Sequence, residues 1–112
     1  MSDIELSVSE IQETMLTGGL SPHSMAEYRV ILSAHHSRLD ELLITILSRK
    51  PTIWNTLRPN LKSDTAANRA YEATEDGLEE MKLRHQMKNI TLMIGALSSM
   101  LRVKESEAKN QF

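Results

Sequence analysis

Met25, Tyr28, Leu32, His35, Leu39, Leu42 and Ile46 recur at alternating steps of three and four residues. A second series, Leu83, Met87, Ile90, Ile94, Leu97 and Leu101, recurs in the same way. Such steps average about 3.5 residues, so each series follows one face of a helix and forms a coiled-coil seam. The pattern predicts an all-α chain. Two long helices, over about 22–50 and 65–109, fold back on each other as an elongated antiparallel hairpin. A short N-terminal helix precedes them. Leu43, Leu47, Leu92, Met93 and Met100 fall off the two seams. A two-helix hairpin cannot cover these as well, so they are expected to be buried against other copies of the chain in an oligomer.

Local signals mark where the helices start and stop. Ser7-Val8-Ser9-Glu10 reads as a capping box, with a helix running on to about Leu16. Gly18-Gly19 stops it, because glycine accepts the left-handed cap conformation. Ser21 then caps the second helix, with Pro22 at its first position. Pro51 ends or kinks that helix, since a proline disfavours helical geometry in the residue before it, or equally starts a short helix through Leu57 that Arg58-Pro59 ends. Asp64 is the expected cap of the third long helix, and Gly77 is a candidate bend within it. Gly95 would let a second helix approach closely. The chain thus divides into an acidic N-terminal helix and linker (1–20) and a hairpin (21–112) with a basic elbow near 49–71.

Composition narrows the chemistry. There is no cysteine, hence no disulfide framework, thiol nucleophile or Cys-ligated zinc. No apolar run approaches the ~20 residues that cross a bilayer, and no basic-then-apolar leader pattern opens the chain. A soluble protein of the cytoplasm is expected. The net charge is −2, but it is unevenly spread. Residues 1–27 carry five acids and neither Lys nor Arg. Basic blocks over 49–71 and 81–112 flank the acidic run Glu72, Glu75, Asp76, Glu79 and Glu80. Such blocks suit head-to-tail contacts between copies or a polyanion site, and equally suit solvated helix faces.

Catalysis finds little support. His35 lies on the first seam, where a polar residue sets register, and the His i, i+4 pair of helical zinc sites is missing. On one continuous helix Glu72, Glu75, Asp76 and Glu79 share a face. Carboxylate-held magnesium requires a second acidic helix opposite, and Asp40-Glu41 is too sparse to supply it. No cofactor and no metal are expected, and the chain reads as a non-enzyme. The elbow is the best candidate site, because Arg49, Lys50, Trp54, Arg58, Lys62, Arg69 and Tyr71 set positive charge beside aromatic rings. Single-stranded nucleic acid is held by this combination, with cations on phosphates and rings under bases. The other reading is a tryptophan that plugs the end of the hairpin among snorkelling cations. A protein-binding adaptor or inhibitor, with acidic segments that imitate a polyanion, is the alternative function.

Several stretches carry a resemblance. They are Trp54-Asn55-Thr56-Leu57-Arg58, Lys62-Ser63-Asp64-Thr65-Ala66, Arg69-Ala70-Tyr71-Glu72-Ala73-Thr74 and Gly77-Leu78-Glu79-Glu80. The ending Ala96-Leu97-Ser98-Ser99-Met100-Leu101-Arg102, with Glu105 and Glu107-Ala108, fits the same pattern. Over roughly 54–108 the chain resembles small helical bacteriophage proteins similar to the UvsY-type recombination mediators. The likeness lies in spacing and residue type, and the acidic N-terminal helix has no counterpart in it. The resemblance implies a non-enzymatic oligomer that binds single-stranded DNA, with a recombinase and a single-strand binding protein as partners, in a bacterial host cell. It also implies that Arg58, Lys62 and Arg69 contact phosphates, with Lys82, Arg84 and Lys88 as a second row. Trp54 and Tyr71 would stack bases or brace the elbow.

Overall fold

Among the described residues the amphipathic pattern resolves into four helices. In the computed structural model the backbone is described for residues 3–110 and the side chains for 8–110. Helix α1 spans Asp3–Thr17, α2 Pro22–Leu57, α3 Asp64–Glu72 and α4 Glu75–Asn110, with a 3-10 turn at Arg58–Asn60 between α2 and α3. No strand occurs among the described residues. Among the described residues no helix is long and apolar enough to cross a membrane.

The glycine and serine signals around residue 20 act as expected. Gly18 and Gly19 take positive φ angles of 78° and 75°, a region that costs other residues a clash at Cβ. The Ser21 hydroxyl accepts from Ser24 N at 3.1 Å, which caps α2 with Pro22 as its first residue. At the other end of α1 the reading fails. The helix begins at Asp3, so Ser7 lies inside it and is no cap. The Ser7 side chain lies outside the described residues.

Three further boundaries differ from the periodic pattern. Helix α2 does not end at Lys50 but continues through Pro51 to Leu57. Proline removes one hydrogen bond inside a helix, but Pro51 is exposed and water can take the carbonyl that it leaves. The turns beyond it are anchored by Trp54, whose Nε1 donates to Asn68 Oδ1 at 2.8 Å. The connection is thereby shortened to residues 58–63. Ser63, rather than Asp64, caps α3, accepting from Ala66 N at 3.1 Å. Asp64 instead takes the first helical position, where a carboxylate suits the helix dipole.

The third difference is the largest. Residues 65–109 are not one rod, and the break falls at Ala73-Thr74 rather than at Gly77. Thr74 closes α3 and opens α4 together. Its Oγ1 donates to Tyr71 O at 2.6 Å and accepts from Gly77 N at 3.0 Å. Gly77 is buried beside this break. A Cβ there would collide with the Tyr71 carbonyl oxygen and lie 2.8 Å from Glu72 Cα. The glycine is needed for close approach of backbone to backbone, not for a bend. Gly95, by contrast, would meet nothing within 4 Å if it bore a Cβ. Among the described residues no helix comes close to it.

The chain divides into two compact units, Met1–Ser37 with Lys88–Phe112 (unit 1) and Arg38–Met87 (unit 2). In unit 1 the core holds Ile11, Met25, Leu32, Ile90, Met93 and Leu97. In unit 2 it holds Leu39, Leu43, Ile46, Ala67, Tyr71 and Leu83. Each buried large side chain contributes roughly 1.5–3 kcal/mol. Met25, Leu32, Leu39 and Ile46 of the first series and Leu83, Ile90 and Leu97 of the second are buried, but two positions trade places. Leu43 is 5% exposed while Leu42 is 48% exposed, and Met93 is 6% exposed beside a half-buried Ile94. A straight helix drifts ~20° per heptad from a 3.5 repeat, which favours the later of two flanking residues by the third heptad of α2. Leu43 and Met93 are covered by the chain itself, so they cannot supply an oligomer interface. Leu47 and Met100 are half-buried and Leu92 is 64% exposed. His35 is half-buried on the seam, and its Nε2 is buried without a hydrogen-bond partner.

Candidate functional site

The elbow cations divide into two groups once their partners are known. Arg49 on α2 spends its guanidinium on Asp76 at the start of α4, with Nε to Oδ2 at 2.9 Å and Nη2 to Oδ1 at 3.2 Å. Asp76 raises the pKa of Arg49 further, through the hydrogen bond first and its charge second. Arg58 bonds Asp64 Oδ1 through Nε at 2.7 Å and Leu61 O through Nη1 at 2.8 Å. These two arginines close the connection between helices. Lys62, Arg69 and Lys88 are exposed and make no ion pair among the described residues. Lys82 is exposed and already engaged with a partner.

A separate cluster forms around Glu80 on α4. Its side chain is 14% exposed and takes three donors. Tyr71 Oη donates to Oε1 at 3.1 Å, Lys50 Nζ lies 3.5 Å from Oε1, and Arg84 Nε donates to Oε2 at 3.2 Å. Burial alone would raise the Glu80 pKa, but the hydrogen bonds from Tyr71 and Arg84 and the charge of Lys50 hold it below the ordinary value. Tyr71 is 2% exposed. Burial first, and the bond to Glu80 second, push its hydroxyl up to about 12. Lys50 also stands 4.8 Å above the centre of the Tyr71 ring, a cation–π distance. Tyr71 therefore braces α3 against α4 and offers no ring face to a base. Trp54 is half-buried and keeps part of its ring open.

These residues enclose a cleft of about 630 Å³ in unit 2, with Lys50, Asn68, Tyr71, Glu80, Arg84 and His85 on its walls. That size falls within the range of small-ligand sites, roughly 300–1,000 Å³. The cleft was not legible as a unit in the sequence. Its residues come from three helices, and only the break at 73–74 turns Tyr71 toward Glu80. The i, i+4 spacing of Glu80 and Arg84 was the one local signal for it.

The acidic run changes character too. The break parts Glu72, in α3, from Glu75, in α4, and Asp76 is taken by Arg49. The single carboxylate face expected on a continuous helix does not form. Among the described residues no group of three or more His, Asp or Glu is placed to hold a metal ion.

Each unit leaves large apolar side chains bare. In unit 1 these are Leu16, Val30, Leu92 and Val103, and in unit 2 Leu42, Ile44, Leu78 and Met81, all at least 48% exposed. No protein-family model, curated protein or solved structure matches the chain.

Proposed function

We propose that this chain is a non-enzymatic, self-associating accessory protein that binds single-stranded DNA. In this reading it helps load a recombinase onto strands held by a single-strand binding protein, in the cytoplasm of a bacterial host, as the UvsY-type resemblance implies. The supporting observation is the state of Trp54. It is half-buried, fixed at its edge by Asn68, and so presents a preset aromatic surface. The exposed cations Arg69, next to Asn68, and Lys62 belong to the same unit. A fixed ring with exposed cations is what sequence-tolerant strand binding uses. The cations Arg49 and Arg58 leave the expected binding set, because their forks close the elbow. Tyr71 leaves it because it is buried.

Self-association rests on the bare apolar side chains of both units, which a second copy would cover. In unit 1, Arg29 Nη1 donates to Ser98 Oγ at 3.4 Å, while Ser33 and His36 share a cleft with Thr91 and Ile94. These pairs favour an antiparallel course of α2 and α4 within that unit. A second copy then covers Leu92 and its neighbours.

Two measurements test the proposal. Anisotropy of a labelled oligo(dT) at low salt should rise with protein and fall steeply with added salt, and Trp54→Ala should weaken binding. Light scattering should give a molar mass above one chain, reduced by Leu92→Glu. No anisotropy change at tens of micromolar protein would leave the protein-binding adaptor as the better reading.

A further inference from the structure

We propose that the cleft of unit 2 is a phosphate-binding site, built by Lys50, Asn68 and Arg84 around the sealed carboxylate of Glu80. The assignment rests on how each group is held. Arg84 gives only Nε to Glu80, and its side chain is 55% exposed. The two terminal nitrogens of the guanidinium, a fork that matches phosphate oxygens, are left for a ligand. An ammonium carries three donors, and Lys50 directs one of them at Glu80. Asn68 accepts from Trp54 through Oδ1, which orients its amide nitrogen with two further donors away from that bond. All three residues line the same cleft. Each of the three has one anchored contact and further N–H groups unspent, which is preorganisation of donors.

Glu80 does not compete with an incoming anion on equal terms. It is nearly sealed, already takes three donors, and acts as the positioning group for Lys50 and Arg84. An outer carboxylate that fixes a cation's orientation is a common support for a binding site. Arg49 and Arg58 are the contrast. Each uses two nitrogens within the chain, on Asp76 in one case and on Asp64 and Leu61 in the other. A tetrahedral oxyanion, which accepts on every oxygen and donates nothing, fits the set of Lys50, Asn68 and Arg84. The exposed Glu72 carboxylate also lines the cleft and opposes an anion there, while the partly exposed Lys50 and Arg84 favour one.

The source of the phosphate is taken as a phosphodiester of a single DNA strand, which rests on the function proposed above. The shared chemistry also admits the phosphate of a free nucleotide. The test uses the full chain and three probes: oligo(dT), thymidine monophosphate and inorganic phosphate. Binding is followed by anisotropy for the first and by amide chemical shifts for the other two. Arg84→Gln and Lys50→Gln should each weaken oligo(dT) binding and lower its log–log salt slope by about 0.7, the value for one single-strand phosphate contact. Arg84→Lys should recover the slope but not the affinity, because it keeps charge and loses the fork. Arg49→Gln should leave both unchanged. Circular dichroism melts confirm that each variant is folded, and salt slopes are compared among folded variants only.

Oligo(dT) binding that ignores Arg84→Gln and Lys50→Gln overturns the cleft assignment and leaves the DNA reading standing. Cleft shifts with phosphate or the mononucleotide, but no oligo(dT) binding, support the cleft and overturn the DNA reading. No response to any of the three probes overturns both.

Discussion

The two units are held by different means. Unit 1 relies on long apolar side chains at helical spacing, with Leu32 and Leu97 at 0% exposure. Unit 2 has such a seam as well, but adds polar bracing between helices: Arg49 with Asp76, Trp54 with Asn68, Arg58 with Asp64, and Tyr71 with Glu80. The bracing goes with the short helix α3 and its tight exit. A nine-residue helix is too short to be stable on its own. The seam is a repeating, tolerant device, whereas the bracing depends on a few single positions. Mutations should therefore act by volume in unit 1 and by geometry in unit 2.

The sharpest way to break that comparison is in the seam. Leu97→Ala and Leu32→Ala should each cost about 2–5 kcal/mol, the range for emptying a fully packed leucine site, as read from urea denaturation. A loss below about 1 kcal/mol would show that unit 1 is not packed as described. Next comes Gly77→Ala. Its Cβ meets backbone, which cannot swing aside, so the loss should reach the upper end of about 1–3 kcal/mol for overpacking. The matching change in unit 1, Gly95→Ala, should do the opposite. Nothing lies near that position, and alanine should stabilise the helix by about 0.5–1 kcal/mol.

Tyr71 gives a pH signature confined to unit 2. Its hydroxyl is raised to about 12 in the folded chain and titrates near 10 when unfolded. Below pH ~10 both states hold the proton, and the contribution is fully present. As pH rises from about 10 to about 12 the unfolded chain loses its proton first, and stability falls, by on the order of 2–3 kcal/mol. Tyr71→Phe should abolish this alkaline loss and cost about 1–2 kcal/mol at neutral pH, because Glu80 loses a donor. The smallest effect is on the acid side. The pKa of Glu80 is lowered on folding, so its contribution is present above the unfolded value and lost as pH falls through the folded one. Glu80→Gln should flatten the acid limb of a pH–stability profile.

Much of the helical framework was legible in the chain. Met25, Leu32, Leu39 and Ile46 recur every seven residues and are all buried, because period alone decides which face of a helix is apolar. Ser21-Pro22 and Gly18-Gly19 were legible because caps and left-handed turns are local chemistry. The Thr74 break was not. A threonine that bonds both the preceding carbonyl and the following amide looks, in sequence, like any threonine within a helix. Pro51 left alternatives open in sequence, an end, a kink or a helix through Leu57, and the helix runs through it to Leu57, where a contact from Trp54 to α3 holds the last turns. The cleft was least legible, because Tyr71 and Glu80 are nine residues apart and meet only once that break has formed. Leu43 and Met93 show the limit of a two-valued pattern. The seam can use either of two neighbours, and in α2 the drift of a straight helix from a 3.5 repeat selects Leu43.

The chain contains a single tryptophan, and it sits in unit 2 with its indole nitrogen tied to Asn68. Its emission is therefore an optical label supplied by nature on one half of the molecule. Ellipticity at 222 nm, by contrast, sums over every helix. When denaturant is added, a gap between the two midpoints would measure how independently the halves melt, and coincident curves would show one cooperative transition.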